Sequence, residues 1–233
     1  SARRYPVRTD RQPASRGYVM DSLILRCSSL DSLMGATRGK QPYGLSKTAQ
    51  SVIEKIVDEK VYGTRLLLQN KYLTKGIEME DESIAIFNEV FFKSLTKNEV
   101  RLTNDYITGE CDLLDKDNDL VIDIKTSWDL NTFSQQRRES TCYEWQLRGY
   151  MWLYDVSKAC TAHVLPDGYP ESLERFAAHL DYSHIPKHDR VIIGNIIERD
   201  LDKEQQLIEK VEACRLYAKD VYENFFKQGR CLP

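Results

Sequence analysis

The chain has 233 residues, of which 41% are hydrophobic and 10% aromatic, so it is long enough for one well-filled core and short for two independent domains. Its formal net charge of −3 does not indicate nucleic-acid binding by bulk charge, so any contact with phosphates must come from a local cluster of Lys and Arg. No apolar run reaches the length of a bilayer-spanning helix and no secretory signal opens the sequence, which predicts a soluble intracellular protein.

Two features set the expected boundaries of the fold. Residues 1–20 are polar, arginine-rich and aperiodic, and we interpret them as a flexible arm or as the remnant of an expression tag. Residues 21–233 are expected to form one domain. Six cysteines are spread along the chain without a CxxC pair or a Cys/His spacing typical of zinc or iron–sulfur sites. We therefore expect free thiols in a reducing compartment, mostly as small buried side chains.

The first predicted elements are helices. Helical periodicity predicts one between an N-cap at Ser46 and a stop at Gly63, with the apolar residues of 52–57 on one face. A second helix is predicted from about Thr74. The side chains expected on its inward face are Ile77, Ile84, Ala85 and Val90.

A block of strands follows the helices. Residues 98–127 alternate apolar and polar side chains and contain the turn sequence DKDND, which predicts three antiparallel strands. The later predicted elements are helices from about Asp129 and at 142–154, a strand near 160–165, a helix near 171–180, a strand near 191–198 and a long helix from about Leu201. Helices before and after a central strand block predict an α/β fold in which helices flank a mixed sheet.

The strand block contains the residues with the clearest chemistry. Asp112 and Asp123 lie on neighbouring predicted strands joined by a tight turn, so their carboxylates can converge. Asp123 and Lys125 are two positions apart on one strand and emerge from the same face. Carboxylates and the Ile124 carbonyl could hold Mg²⁺ while the ammonium positions or activates a water, an arrangement suited to phosphodiester hydrolysis. An isolated DxK triplet is also common as an ordinary ion pair at a strand edge, so the triplet alone is weak evidence.

Two flanking segments strengthen this interpretation. Glu80 falls in the first turns of the second predicted helix and could reach a metal held by the strands, with Glu78 and Glu82 as competing candidates. Gln146 and Tyr150 lie one turn apart on a helix face, where they could act together on a phosphate or on the strand lysine. For this pair, the polar edge of an aromatic-rich core helix is an equally good interpretation.

Together these segments resemble a known family. They occur in the order GIEME at 76–80, GECD at 109–112, DIK at 123–125 and QLRGY at 146–150. This ordered set resembles the PD-(D/E)xK nuclease superfamily, most closely its phage recombination branch of the lambda-exonuclease type. Residues 27–36 resemble the start of that branch's first helix, and 197–200 its closing strand. The family's second acid is often Glu rather than Asp123, and Cys111 stands where the family usually has Pro.

The resemblance implies a restriction-endonuclease-like core, with a central mixed sheet flanked by helices, and a role for each site residue. Asp112 and Asp123 would bind two Mg²⁺ ions, for which Mn²⁺ could substitute. Glu80 would complete the metal shell directly or through water. Lys125 would act on the nucleophile, and Gln146 would support the nucleophile or the scissile phosphate.

Several further side chains are candidates for DNA contact, although a solvated surface position is an alternative interpretation for the basic ones. They are Arg137, Arg138, Arg148, Tyr150, Lys187, His188 and Arg190. By resemblance, Ser29 would contact a terminal phosphate.

The implied function is a 5′-to-3′ double-strand DNA exonuclease that acts on duplex ends and makes 3′ single-stranded tails for recombination. A homo-oligomer and a single-strand-annealing protein as partner are also implied. A structure-selective or restriction-type endonuclease would use the same metal site, whereas a nuclease-derived DNA-binding module would have lost it. The intact Asp112, Asp123 and Lys125 argue against the inactive module.

Overall fold

A computed structural model describes residues 18–64, 70–136 and 143–228 and shows a mixed α/β fold. The helices are α1 (Tyr18–Asp21), α2 (Leu30–Met34), α3 (Lys47–Tyr62), α4 (Lys71–Glu78), α5 (Glu80–Phe91), α6 (Leu130–Gln135), α7 (Glu144–Tyr154) and α8 (Leu201–Gln228). The strands are β1 (Leu25–Arg26), β2 (Leu102–Thr103), β3 (Ile107–Gly109), β4 (Leu113–Asp115), β5 (Leu120–Thr126), β6 (Lys158–Val164), β7 (Val191–Ile193) and β8 (Ile197–Glu198). Short 3-10 segments cover Cys27–Ser29, Pro42–Gly44, Lys116–Asn118, Glu171–His179 and Lys187–Arg190.

The main sheet is mixed, as predicted, and it has five strands. Its order is β4-β5-β6-β7, with β8 also paired to β6, and only the β5/β6 pair is parallel. A second sheet, with the order β1-β3-β2, was not predicted. The prediction of three antiparallel strands over 98–127 is wrong, because this segment forms four strands, β2–β5, that divide between the two sheets. The predicted strand near 191–198 is likewise two short strands.

Helices cover both faces of the main sheet. Ile122 and Ile124 of β5 pack in a cluster with the buried face of α5, whereas Val121 belongs to the larger core that includes α3, α7 and α8. Alternate residues of a strand point to opposite faces. Asp123 and Lys125 therefore share the α7 face of β5 with Val121.

The longest predicted helices are confirmed. The Ser46 hydroxyl accepts a hydrogen bond from the Ala49 amide at 3.2 Å at the start of α3, and Gly63 ends the helix in the left-handed conformation, φ 63°. In α8, a stripe of buried residues at helical spacing packs into the same core as α3. This stripe is formed by Leu207, Val211, Cys214 and Ala218.

The second predicted helix is interrupted. Met79, with φ −107° and ψ 12°, separates α4 from α5, so the helical phase assumed for one continuous helix does not hold. Ile77 is 64% exposed and Ala85 is also exposed, so their predicted inward positions are wrong; Ile84 is buried and Val90 half-buried. Lys75 is buried instead, and its Nζ donates to the Trp128 carbonyl at 2.8 Å.

The remaining predictions concern the N-terminal segment, the cysteines and membrane spans. Residues 1–17 of the predicted arm lie outside the described residues, while Met20, its last residue, is buried in the core. The four described cysteines are free and buried, as predicted; Cys142 and Cys231 lie outside the described residues. None of the described helices combines the length and apolarity that crossing a bilayer requires.

Candidate active site

Strand pairing brings the two predicted acids together. Leu113 pairs with Ile122 in the antiparallel β4/β5 ladder, so Asp112, one residue before β4, lies opposite Asp123. The Asp112 Oδ2 accepts a hydrogen bond from the Ile124 amide at 2.6 Å, which fixes this carboxylate against β5. The predicted convergence of the two carboxylates is therefore a property of the ladder register.

Lys125 and Asp123 form a close ion pair. The Lys125 Nζ lies 2.6 Å from Asp123 Oδ2 and 4.4 Å from the centroid of the Tyr143 ring. Asp123 is 2% exposed, whereas the Lys125 side chain is 24% exposed. Among the described groups, none other than this ammonium is placed to donate to the buried Oδ2. A cation bound at Oδ2 would therefore share this oxygen with the Lys125 ammonium.

Gln146 of α7 connects the members of the site. Its Nε2 donates to Asp123 Oδ1 at 3.2 Å and to the Tyr150 hydroxyl at 3.0 Å, and its Oε1 accepts from Lys125 Nζ at 3.4 Å. The pairing of Gln146 with Tyr150 follows from their i, i+4 spacing. The amide of Gln146 therefore orients both charged groups of the DxK triplet.

Asn98 and Tyr154, which sequence reasoning missed, hold the backbone beside Asp112. The Asn98 amide donates to the Asp112 carbonyl at 2.7 Å, and its Nδ2 donates to the Cys111 carbonyl at 3.0 Å and to the Tyr154 hydroxyl at 2.9 Å. Asn98 precedes β2 and Tyr154 ends α7, so no local pattern links either residue to Asp112.

The predicted residues line one cavity of about 540 Å³. Asp112, Asp123, Ile124, Lys125, Gln146, Tyr150 and Glu80 all contribute to its wall. The Glu80 carboxylate, however, is paired with Lys97 at 2.7 Å. Of the competing acids, Glu78 accepts from the Ser172 hydroxyl and Glu82 from the Asp167 amide, and neither lines the cavity. The structure therefore favours Glu80 among the three glutamates.

Burial and charge determine the protonation of the site. Burial, followed by the negative charge of Asp123, raises the pKa of Asp112 to about 8. Burial acts to lower the pKa of Lys125, but the adjacent Asp123 carboxylate outweighs it, so the net shift is upward and the ammonium is favoured. Burial, together with the charge of Lys125, lowers the pKa of His163 to about 4, so this neighbour on β6 is neutral near pH 7.

These residues fit a divalent cation bound through oxygen. Burial and the negative charge of Asp123 raise the pKa of Asp112, and the Asp123 carboxylate beside it is buried, so a cation held between the two would relieve their charge repulsion. Among the described residues, no three His, Cys, Asp or Glu side chains surround a common point. Mg²⁺ does not need such a cage, since it commonly binds one or two carboxylates and completes its octahedron with water and substrate phosphates.

The candidate DNA contacts are dispersed. Tyr150 is buried in the cavity wall, and the Arg148 Nε is paired with Glu144 at 2.9 Å. Ser29 lines a separate groove beside α3 rather than the cavity. Arg137 and Arg138 lie outside the described residues. In the later loop, Arg190 is buried and Lys187 is paired with Glu89, while His188 is exposed beside Asp189.

The raised pKa of Asp112 predicts a pH-dependent stability. An acid whose pKa rises from 3.8 to about 8 on folding does not affect the free energy of unfolding below pH 3.8. It lowers that free energy progressively as pH increases from 3.8 to about 8. In the presence of chelator, the Tm of the wild type should therefore fall relative to that of Asp112→Asn between these pH values. For a chain of this length, each 1 kcal/mol corresponds to about 2–4 °C in Tm. Thermal unfolding at several pH values measures the difference, and a pH-independent difference would contradict the assigned shift.

No family model matches the chain, and no curated protein matches it either. Among solved structures, a phage related exonuclease from Haemophilus somnus 129PT shares 29% sequence identity with this chain at a TM-score of 0.72, and the match covers 89% of this chain and 97% of that one. The resemblance to the phage recombination exonucleases is confirmed. This chain also aligns with an alkaline exonuclease from Laribacter hongkongensis, at 14% identity and a TM-score of 0.64 over 88% of this chain and 93% of that one. A structure of that enzyme in complex with dAMP aligns at 15% identity and a TM-score of 0.61, which shows the shared fold alone.

Proposed function

We propose that this protein is a magnesium-dependent 5′-to-3′ double-strand DNA exonuclease that leaves 3′ single-stranded tails for homologous recombination. The observation that carries the proposal is the convergence of Asp112, Asp123 and Lys125 in one cavity, within the fold of a phage related exonuclease. This geometry provides an acidic oxygen site next to a fixed ammonium, a combination suited to metal-assisted phosphodiester hydrolysis.

Each residue of the site has a distinct proposed role. Asp112 and Asp123, with the Ile124 carbonyl, would hold Mg²⁺, and Glu80 would join directly or through water. When bound, the ion would polarise the scissile phosphate and lower the pKa of an attacking water. The raised pKa of Lys125 keeps its ammonium protonated, so Lys125 would hold the nucleophile or a phosphate oxygen by hydrogen bonding rather than remove a proton.

Gln146 and Tyr150 would keep this arrangement rigid. Gln146 donates to Asp123 and accepts from Lys125, so the lysine cannot rotate freely away from the acid. Such fixed geometry matters because a displacement of about 1 Å in a catalytic group can lower a rate 10²-fold.

The substrate and partners are part of the proposal. Duplex DNA ends would be the substrate, with Arg137, Arg138, Arg148 and Ser29 as candidate phosphate contacts. The working form would be a homo-oligomer inside the cell, acting together with a single-strand-annealing protein that coats the 3′ tail.

A linear duplex with separately labelled ends tests the activity and its direction. With Mg²⁺ we expect nucleotides to be released from 5′ ends, a persistent 3′ strand and no reaction in chelator; Mn²⁺ should substitute. Intact supercoiled circles should survive. Release from 3′ ends would overturn the direction, cleavage of circles would indicate an endonuclease, and a lack of any metal-dependent release would indicate an inactive DNA-binding module.

Capture of a terminal phosphate predicts a preference between duplex ends. A 5′-phosphorylated duplex should start about tenfold faster than a 5′-hydroxyl duplex, because one added charge-assisted hydrogen bond contributes about 1.5 kcal/mol. Ser29→Ala should reduce this preference, and the initial rates of the two substrates measure it. Ser29 lies in a groove beside α3, apart from the catalytic cavity. An unchanged preference in this variant would show that Ser29 does not contact the terminal phosphate.

A further inference from the structure

The first turn of α7 is capped by a residue from another part of the chain. Tyr143 occupies the N-cap position, and its side chain makes no capping hydrogen bond. Asp31 of α2 caps the helix instead, since its Oδ1 accepts from the Trp145 amide at 2.9 Å and its Oδ2 from the Gln146 amide at 3.1 Å. A carboxylate in this position satisfies two amides that have no partner within the helix and interacts favourably with the positive end of its dipole.

One of the two capped amides belongs to Gln146, whose side chain bridges Asp123 and Lys125. Gln146 therefore lies between Asp31 and the charged pair, and Asp31 itself makes no hydrogen bond to Asp123 or Lys125. A shift of the first turn of α7 would move the Gln146 side chain with its backbone. Among the described residues Asp31 forms no ion pair within 4.0 Å; its side chain makes the two capping hydrogen bonds and interacts with the Lys125 charge at longer range.

We propose that Asp31 is a positioning residue of the active site, which acts by fixing the first turn of α7 and, through it, the Gln146 amide against Asp123 and Lys125. This inference rests on the proposed nuclease function for its catalytic consequence. Sequence reasoning did not identify Asp31, because a contact across 114 residues leaves no local pattern.

The kinetic test uses Asp31→Ala and Asp31→Asn on a linear duplex with Mg²⁺. We expect Asp31→Ala to lower kcat about 10- to 100-fold, the usual effect of losing a group that orients a site residue, with KM changed less than about threefold. Asp31→Asn retains one acceptor oxygen and should lie between the wild type and the alanine variant. In a Gln146→Ala background, the Asp31→Ala loss should shrink to about twofold or less, because the route through Gln146 is already absent.

Ser46→Ala is the matched control, since it removes the buried cap of α3 at a site that does not line the catalytic cavity. It should lower Tm without lowering kcat. An equal kcat loss for Asp31→Ala with and without Gln146, or a loss confined to KM, would overturn the proposal.

Hydrogen exchange examines the cap independently of cleavage. In Asp31→Ala, the Trp145 and Gln146 amides should exchange faster relative to amides in the middle of α7, while the control leaves both unchanged. Unaltered exchange would overturn the proposal even if the enzyme is active. If the wild type cleaves no DNA while these amides lose protection, the proposed function fails and the capping role stands.

Discussion

Replacing Asp112 or Asp123 by alanine is expected to abolish DNA cleavage while leaving DNA binding nearly intact. Both carboxylates line the cavity and would hold the cation, whose stabilisation of the transition state is worth several kcal/mol. This corresponds to a rate loss on the order of 10³-fold or more. Affinity depends mainly on phosphate contacts elsewhere and should change little. Single-turnover cleavage and a binding titration in chelator measure the two effects separately.

Asp117→Ala is the matched control, because this acid lies in the exposed turn between β4 and β5 and does not line the cavity. It should retain wild-type turnover. Isothermal titration with Mg²⁺ adds a measurement that does not require catalysis: heat of binding should be present in the control and lost in the Asp112 and Asp123 variants. Retained turnover in either of those variants would remove that acid from the mechanism.

Replacing Lys125 by alanine is expected to reduce the chemical step about 10²- to 10³-fold, with DNA affinity changed less than about threefold. The ammonium lies 2.6 Å from Asp123 and would stabilise charge that develops only in the transition state, so its loss should affect kcat more than binding. Burst or single-turnover kinetics isolate this step from product release.

Removing Lys125 also leaves the buried Asp123 without its ion pair, which can destabilise the fold. Thermal unfolding with Mg²⁺ must therefore accompany the kinetics, since a bound cation would replace the lost positive charge. Lys116→Ala, an exposed lysine in the neighbouring turn, serves as the control and should behave as wild type. Equal losses in binding and cleavage would make Lys125 a docking residue instead.

Local patterns were sufficient for the long helices and for the core of the candidate site. The capped amphipathic segment of α3 and the apolar stripe of α8 are encoded within the segments themselves, because cap chemistry and the 3.6-residue period are local properties. The common face of Asp123 and Lys125 follows from strand alternation, and the approach of Asp112 follows from a tight turn between two strands. Helix position already made Glu80 and Gln146 candidates, the resemblance gave each a role, and both line the cavity.

Only the tertiary structure decided which of several compatible local arrangements is adopted. Whether Ile77 points inward depends on the break at Met79 and on burial of Lys75 against the Trp128 carbonyl, a contact 53 residues away. The pairing of Glu80 with Lys97 and the separation of Ser29 from the cavity likewise arise from packing between distant elements. The sequence by itself determined the long helices α3 and α8 and the common face of Asp123 and Lys125, because those depend on neighbours along the chain. The capping of α7 by Asp31 was decided by the fold, because a hydrogen bond across 114 residues exists only after the helices have packed.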